Sequence, residues 1–211
     1  MTSDTISLRE KKKAKTKLAL LEGCLERIGE GTFRSVLVED ICQFAEVSKV
    51  TFFKFFPQKE DLLTYFMSIW QAECFVELSN SSRRGLEAIR YIFAKVIEDG
   101  KKHPGIMLSL ISFLSEQRMH PCVPALSEAE LILLFPDVTN RSAIAETSLY
   151  DIFKKSVEEA RADGHLTSRV SDEEAVVLLF SMFYGAYLSA HLFRANDFMA
   201  FYEMHLKSLI K

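Results

Sequence analysis

VEDICQFAEVSKVTFFKFFPQKEDL, residues 38–62, decides how the whole chain is read. Val38, Ile41, Cys42 and Ala45 fall at 0, +3, +4 and +7, one apolar face of a helix. Ser48 then resets the pattern. Its hydroxyl can accept from the amide of Val50 or Thr51 and start a second helix. That helix should run from Lys49 to Phe56, because Pro57 has no N–H and disfavours helical geometry in the residue before it. A further helix should begin near Lys59, with Glu60 and Asp61 in its first turn. Two short helices joined by a tight turn make a helix-turn-helix, in which the second helix lies in a DNA major groove. A plain packing hairpin has the same outline, so the geometry alone leaves both readings open.

The wording from Val47 to Leu63 narrows the choice. It resembles the signature of TetR/AcrR transcription regulators, above all in Phe56-Pro-Gln-Lys-Glu60 directly after the second helix. The resemblance is close over about residues 17–65 and looser beyond. It implies an all-α protein: an N-terminal three-helix helix-turn-helix head, residues 1–58, and a C-terminal bundle for ligand binding and dimerisation, residues 59–211, with about nine helices in all. On the same basis Lys17, Ser35, Ser48, Lys49, Val50, Thr51, Phe53, Lys54, Phe55 and Lys59 are the expected DNA-facing residues.

The departures from the family pattern carry physical content. Glu46 stands where glycine is usual in the turn. Val36-Leu37 replaces a hydroxyl pair that would cap the first helix of the motif. Phe53 and Phe55 stand where Tyr or His is common, and a phenyl ring cannot donate to a phosphate oxygen. Val50 and Phe53 can instead touch a thymine methyl group.

Charge is unevenly spread. Residues 1–59 hold 11 Lys/Arg against 8 Asp/Glu, and residues 60–211 hold 15 against 21. A basic head on an acidic body suits a protein that meets DNA at one end. Arg9 to Lys17 is strongly basic and reads either as a solubilising arm or as a phosphate-neutralising one. Residues 1–8 are expected to be a frayed tail, with the first helix from Lys11 or Thr16 to Ile28, stopped by left-handed Gly29 and Gly31.

Helical patterns continue over Glu60–Leu78, Arg84–Lys101, Ile106–Arg118, Ser142–Asp163, Asp172–Phe193 and Asp197–Ile210, with a short helix near Leu126–Leu134 in an irregular, proline-marked stretch. Ala160-Arg-Ala-Asp-Gly-His-Leu166 and the following helix match a second family phrase, in which Ser171 and Glu174 form a capping box. Ser181, Gly185 and Ser189 make a small-residue strip. By the resemblance, Ala143–Ala162 and Asp172–Phe193 form the interface of a homodimer, with Phe153, Val157, Ser181, Gly185 and Ser189 in it. The resemblance also implies a small apolar or amphipathic effector, for which Phe66, Trp70, Cys74, Met107, Phe113, Tyr150, Phe153 and Phe183 are candidate pocket residues.

Other chemistry is poorly represented. The cysteines, Cys24, Cys42, Cys74 and Cys122, form no C-x-x-C pair, and the five histidines form no i, i+4 pair, so no metal site is expected. There is no phosphate loop, nucleophile elbow or paired carboxylate site, so no catalytic residues and no cofactor are expected. No signal peptide is evident, and the most apolar run, Ala175 to Phe193, is broken by Ser181, Ser189 and His191. The expectation is a cytoplasmic, non-enzymatic DNA-binding regulator, by the resemblance a repressor, with double-stranded DNA and an effector as partners. The rival expectation is a ligand-binding or protein-interaction module whose head no longer reads DNA.

Overall fold

The computed structural model describes residues 6–29, 31–117 and 123–211. Among these it is all-helical, apart from a single bridge between Leu166 and Ile210. Eleven α-helices are formed: α1 Leu8–Ile28, α2 Val38–Phe44, α3 Lys49–Phe55, α4 Asp61–Ser79, α5 Gly85–Lys102, α6 Pro104–Ser115, α7 Glu128–Leu134, α8 Arg141–Glu146, α9 Leu149–Ala162, α10 Asp172–Leu192 and α11 Phe198–Leu206, with one 3-10 turn, Phe33–Ser35. Cys122 and the expected end of α6 at Arg118 lie outside the described residues.

Local chemistry explains most differences from the expected boundaries. The basic stretch Arg9–Lys17 is helical rather than an arm. Ser7 accepts from the Glu10 amide while the Glu10 carboxylate accepts from the Ser7 N–H, a capping box that starts α1 at Leu8. Gly29 ends α1 with φ +49°, as expected, but Gly31 is not left-handed. The break between α5 and α6 falls at His103, and Pro104 opens α6 two residues earlier than its apolar pattern suggests, at a position where its missing N–H has no helical partner to lose. The single helix expected over Ser142–Asp163 is two, α8 and α9. Ser148 accepts from the Asp151 amide and Asp151 accepts from the Ser148 N–H, which restarts the helix after Thr147.

The chain forms two compact units, residues 1–72 with 103–146, and residues 73–102 with 147–211. The expected division at residue 58 does not coincide with this partition, because the start of α4 together with α6, α7 and α8 belongs with the helix-turn-helix. In the first unit α1 packs on α2, α6 and α7. Its core includes Leu20, Ile41, Phe52, Leu62 and Tyr65. Gly23 of α1 lies against the Phe44 ring, so close that a Cβ there would stand 2.9 Å from it.

The second unit is a bundle of α5, α9, α10 and α11 with the end of α4. Aromatic rings fill it. Phe93 stacks on Tyr202 at 4.4 Å between centroids, and Phe153 packs edge-on to Phe180 at 5.3 Å. The Tyr202 hydroxyl donates to the Phe183 carbonyl at 2.9 Å, which satisfies the one polar atom that ring buries. Lys95 reaches Glu73 and Glu77 at 3.2 and 2.9 Å, and Arg90 pairs with Glu203 at 2.7 Å. Helix α10 is long and apolar enough, by length and composition, to cross a membrane. Its Ala175, Val176, Leu179, Met182, Phe183 and Ala186 are buried in the bundle, as in a core helix.

Candidate nucleic-acid interface

Helix α3 is built as its sequence demands. Ser48 accepts from the Thr51 amide at 3.2 Å, and the two hydroxyls lie 3.1 Å apart. Phe52 and Phe56 are buried and fix one side of α3 to the head; the Phe56 ring leans on Tyr65 at 5.4 Å. The other side is open. Lys49, Val50, Phe53 and Lys54 are exposed, while Thr51 and Phe55 flank them half-buried. Val50 is 81% and Phe53 47% exposed, high values for apolar side chains on a helix this short.

The α2–α3 turn places Glu46 at φ +53°, a left-handed backbone that disfavours a side chain. The position is the one usually held by glycine in the family that the sequence resembles. Leu37 is the N-cap of α2 and makes no side-chain cap bond. Ser35 does not replace that cap: its hydroxyl donates to the Thr32 carbonyl at 2.8 Å.

The lysines expected at DNA divide into two groups. Lys59 is an internal brace. Its ammonium donates to the carbonyls of Phe33, Val36 and Arg34 at 2.9, 3.0 and 3.3 Å and lies 4.6 Å from the Phe33 ring centroid. All three N–H groups are committed, so the expected phosphate contact is corrected to a structural role that closes the 3-10 turn. Lys17 is likewise engaged, 2.6 Å from Glu130 and 4.2 Å from the Tyr65 ring centroid.

Lys49 pairs with Glu39, and that hydrogen bond holds the Glu39 carboxyl below its usual range. Both side chains are more than half exposed, so the pair is weak. Lys54 makes no ion pair among the described residues. It lines an open groove of about 640 Å³ with Phe55, the start of α1 (Glu10, Lys13, Lys17) and the start of α7. On α1, Lys11, Lys12, Lys13 and Lys15 are exposed.

Glu130 was not foreseen. Burial would raise its carboxyl, but hydrogen bonds from Lys17, Ser127 and Tyr65 outweigh that and hold it below its ordinary value. Tyr65, which donates to Glu130 at 2.5 Å, is pushed up, first by burial and then by that carboxylate. No local signal in the sequence marks the pairing of Lys17 with Glu130, because the two sit on different helices far apart in the chain.

The expected effector and dimer residues are also redistributed. Phe66, Trp70, Met107 and Phe113 belong to the first unit, and Cys74, Tyr150, Phe153 and Phe183 to the second. Tyr150 is exposed, whereas Phe153 and Val157 are fully buried in the second unit's core. Those last two are therefore corrected from interface to core. Ser181 is exposed, Gly185 and Ser189 are half-buried, and a Cβ at Gly185 would meet nothing within 4 Å. Cys24, Cys42 and Cys74 are free buried thiols, and burial pushes the Cys24 thiol up to about 12. No cluster of potential metal ligands occurs among the described residues.

No protein-family model and no curated protein sequence matches the chain. Solved structures do resemble it. NemR of E. coli in its reduced form superposes with a TM-score of 0.60 at 17% identity over 93% of this chain and 98% of that one. A TetR-family transcriptional regulator from Agrobacterium tumefaciens gives 0.56 at 22%, over 96% and 100%. A protein solved for the molecular basis of control of antibiotic production by bacterial hormones gives 0.57 at 18%, over 98% and 100%. With near-complete coverage on both sides and a helix-turn-helix at its N-terminal end, the chain has the fold of the TetR-family transcription regulators.

Proposed function

We propose that the protein is a DNA-binding transcription regulator acting in the cytoplasm as a homodimer, a repressor that a small apolar or amphipathic effector releases. The observation that carries this reading is the open side of α3: Lys49, Val50, Phe53 and Lys54 face solvent from a helix that Phe52 and Phe56 anchor to the head. Such a helix enters a major groove end-on or lengthwise, while exposed lysines on α1 neutralise phosphates. Two heads would meet half-sites about 34–36 Å apart. The outer side of α10, with Val177, Leu178, Ser181 and Gly185, supports pairing of two subunits through that helix.

Control by an effector is supported by how α6 holds the loop after α1. The Gly105 N–H donates to the Gly29 carbonyl at 3.0 Å, and the Phe33 N–H donates to the buried Ser109 hydroxyl at 2.9 Å. A Cβ on Gly105 would stand 2.0 Å from the Gly31 carbonyl oxygen, so the two segments are in backbone contact. A shift of α6 therefore displaces the loop that leads into α2, and an effector preferring the shifted state lowers DNA affinity by its differential binding. One protein of similar fold was solved for the control of antibiotic production by bacterial hormones.

One observation favours a second reading, a ligand-binding module of this fold without DNA-reading function: Lys17, Lys49 and Lys59 are all engaged within the chain. Fluorescence anisotropy on the DNA upstream of the protein's own coding sequence, against a scrambled duplex and over a salt series, separates the two. Salt-graded preference for the upstream duplex, with two or more subunits per site, is expected. Equal binding to both duplexes, unimproved in the Phe53→Tyr/Phe55→Tyr variant, would favour the second reading.

A further inference from the structure

We propose that this head reads its operator through thymine methyl groups, with Val50 and Phe53 as the specificity-determining residues; the inference rests on the DNA-binding reading above. The argument is one of elimination on α3, followed by geometry. Its seven residues include no Asn, Gln or Arg, the side chains that grip purine edges by paired hydrogen bonds. Thr51 and Ser48 are turned on one another through the Ser48 cap, with their hydroxyls 3.1 Å apart. Phe52 is buried. Lys49 pairs with Glu39, and Lys54 is a compact charge suited to a phosphate or a guanine edge.

What remains on the open side is apolar. Val50 is the most exposed large hydrophobic residue of the described chain, and Phe53 stands beside it, its ring edge-on to Phe52 at 5.2 Å between centroids. Residues three apart on a helix have Cβ atoms about 5–6 Å from each other. Successive bases on one strand are about 3.4 Å apart along the axis. The pair therefore spans one to two base steps, and its chemical complement in a major groove is two thymine methyl groups on adjacent or next-but-one bases. Contact would take Val50, Phe53 and both methyls out of water together.

The test begins with selection of duplexes from a random-centre library by the purified full-length protein. Each thymine of the selected half-site is then replaced by deoxyuridine, which deletes only the methyl. Loss of about fourfold in affinity at one or two neighbouring thymines is expected, the effect of one buried methyl-sized contact. The Val50→Ala variant should be indifferent to deoxyuridine at one of those positions, while Lys54→Ala should bind more weakly yet keep its full sensitivity. Both sites are exposed, so neither change threatens folding. Selected duplexes that bind equally well with every thymine replaced would overturn methyl readout and leave the regulator reading standing. Failure to enrich any sequence would overturn that reading, and methyl readout with it.

Discussion

Lys17 and Glu130 form an ion pair at 2.6 Å that is lopsided: the lysine side chain keeps 22% of its surface, the glutamate only 2%. The carboxylate also accepts from Tyr65 and from both the N–H and the hydroxyl of Ser127, so one buried charge joins α1, α4 and α7. Lys17 lies within the basic run of α1 but is committed to this joint.

The asymmetry predicts unequal costs. Removing Lys17 strands a buried carboxylate, whereas removing the charge at Glu130 leaves a lysine able to reach water. Lys17→Met should therefore cost about 3 kcal/mol, and Glu130→Gln about 1–2 kcal/mol, because the amide still accepts hydrogen bonds. The pair Lys17→Met/Glu130→Leu should be more stable than Lys17→Met alone. Urea unfolding of the three variants and the parent checks the order.

The same carboxylate predicts a pH dependence. Its folded pKa is depressed, so its contribution is fully present above the unfolded value of about 4.3 and is lost as pH falls through the folded value. The stability gap between the parent and Glu130→Gln should be constant near neutrality and close in acid below about pH 4. A gap that is unchanged in acid would mean that Glu130 does not titrate with unfolding.

Lys59 and Lys54 should separate cleanly. Lys59→Ala leaves three carbonyls of the 3-10 turn without their donor and should destabilise the head by about 2 kcal/mol. Bound at a temperature where it is folded, it should keep the parent's salt dependence. Lys54→Ala should do the reverse: unchanged melting, and a slope of log affinity against log salt reduced by about 1. Anisotropy over a salt series and thermal melts give both readouts.

These contrasts mark where sequence reading ends. The start and stop of α3 were legible because the signals are local: Ser48 caps Thr51 three residues on, and Pro57 follows the last turn. The partners of the lysines were not, since a phosphate-seeking lysine and a structural one read alike. Lys59 meets carbonyls 26 and 23 positions upstream, and only the folded turn brings them together. The break between α8 and α9 was different. Ser148 and Asp151 carried a cap in plain sight, but apolar periodicity running from Ile144 to Val157 concealed it. Phe153 and Val157 differ again: the family resemblance assigns their helix to an interface but does not say which of its sides the chain's own core covers.

At Glu46 the structure turns a family departure into an energy. A side chain at φ +53° costs about 1–2 kcal/mol relative to glycine, partly offset by the greater freedom of glycine in the unfolded chain. Glu46→Gly should stabilise the protein by about 0.5–1 kcal/mol, raising its melting temperature by about 1–4 °C. Glu46→Ala, which keeps the Cβ, should not. Calorimetry on both variants decides whether backbone strain or the lost charge is responsible.

The proposed subunit pairing through α10 predicts a specific loss. Val177 is 63% exposed on the same side as Ser181, and no side chain fills the space at Gly185. An exposed valine beside small residues on a long helix gives a face that a second helix can approach closely. Val177→Arg should leave the helical content and the melting of a dilute sample unchanged, because the side chain touches little within its own chain. It should weaken self-association at least tenfold, because pairing through this face would bury an unpaired charge in each subunit. Sedimentation equilibrium measures that directly. Since DNA binding would use two linked heads, the variant should also lose affinity for a two-half-site operator while its binding to a single half-site is unaltered. Equal dimerisation of parent and variant would remove α10 from the interface and leave the exposure of Val177 without a partner to explain it.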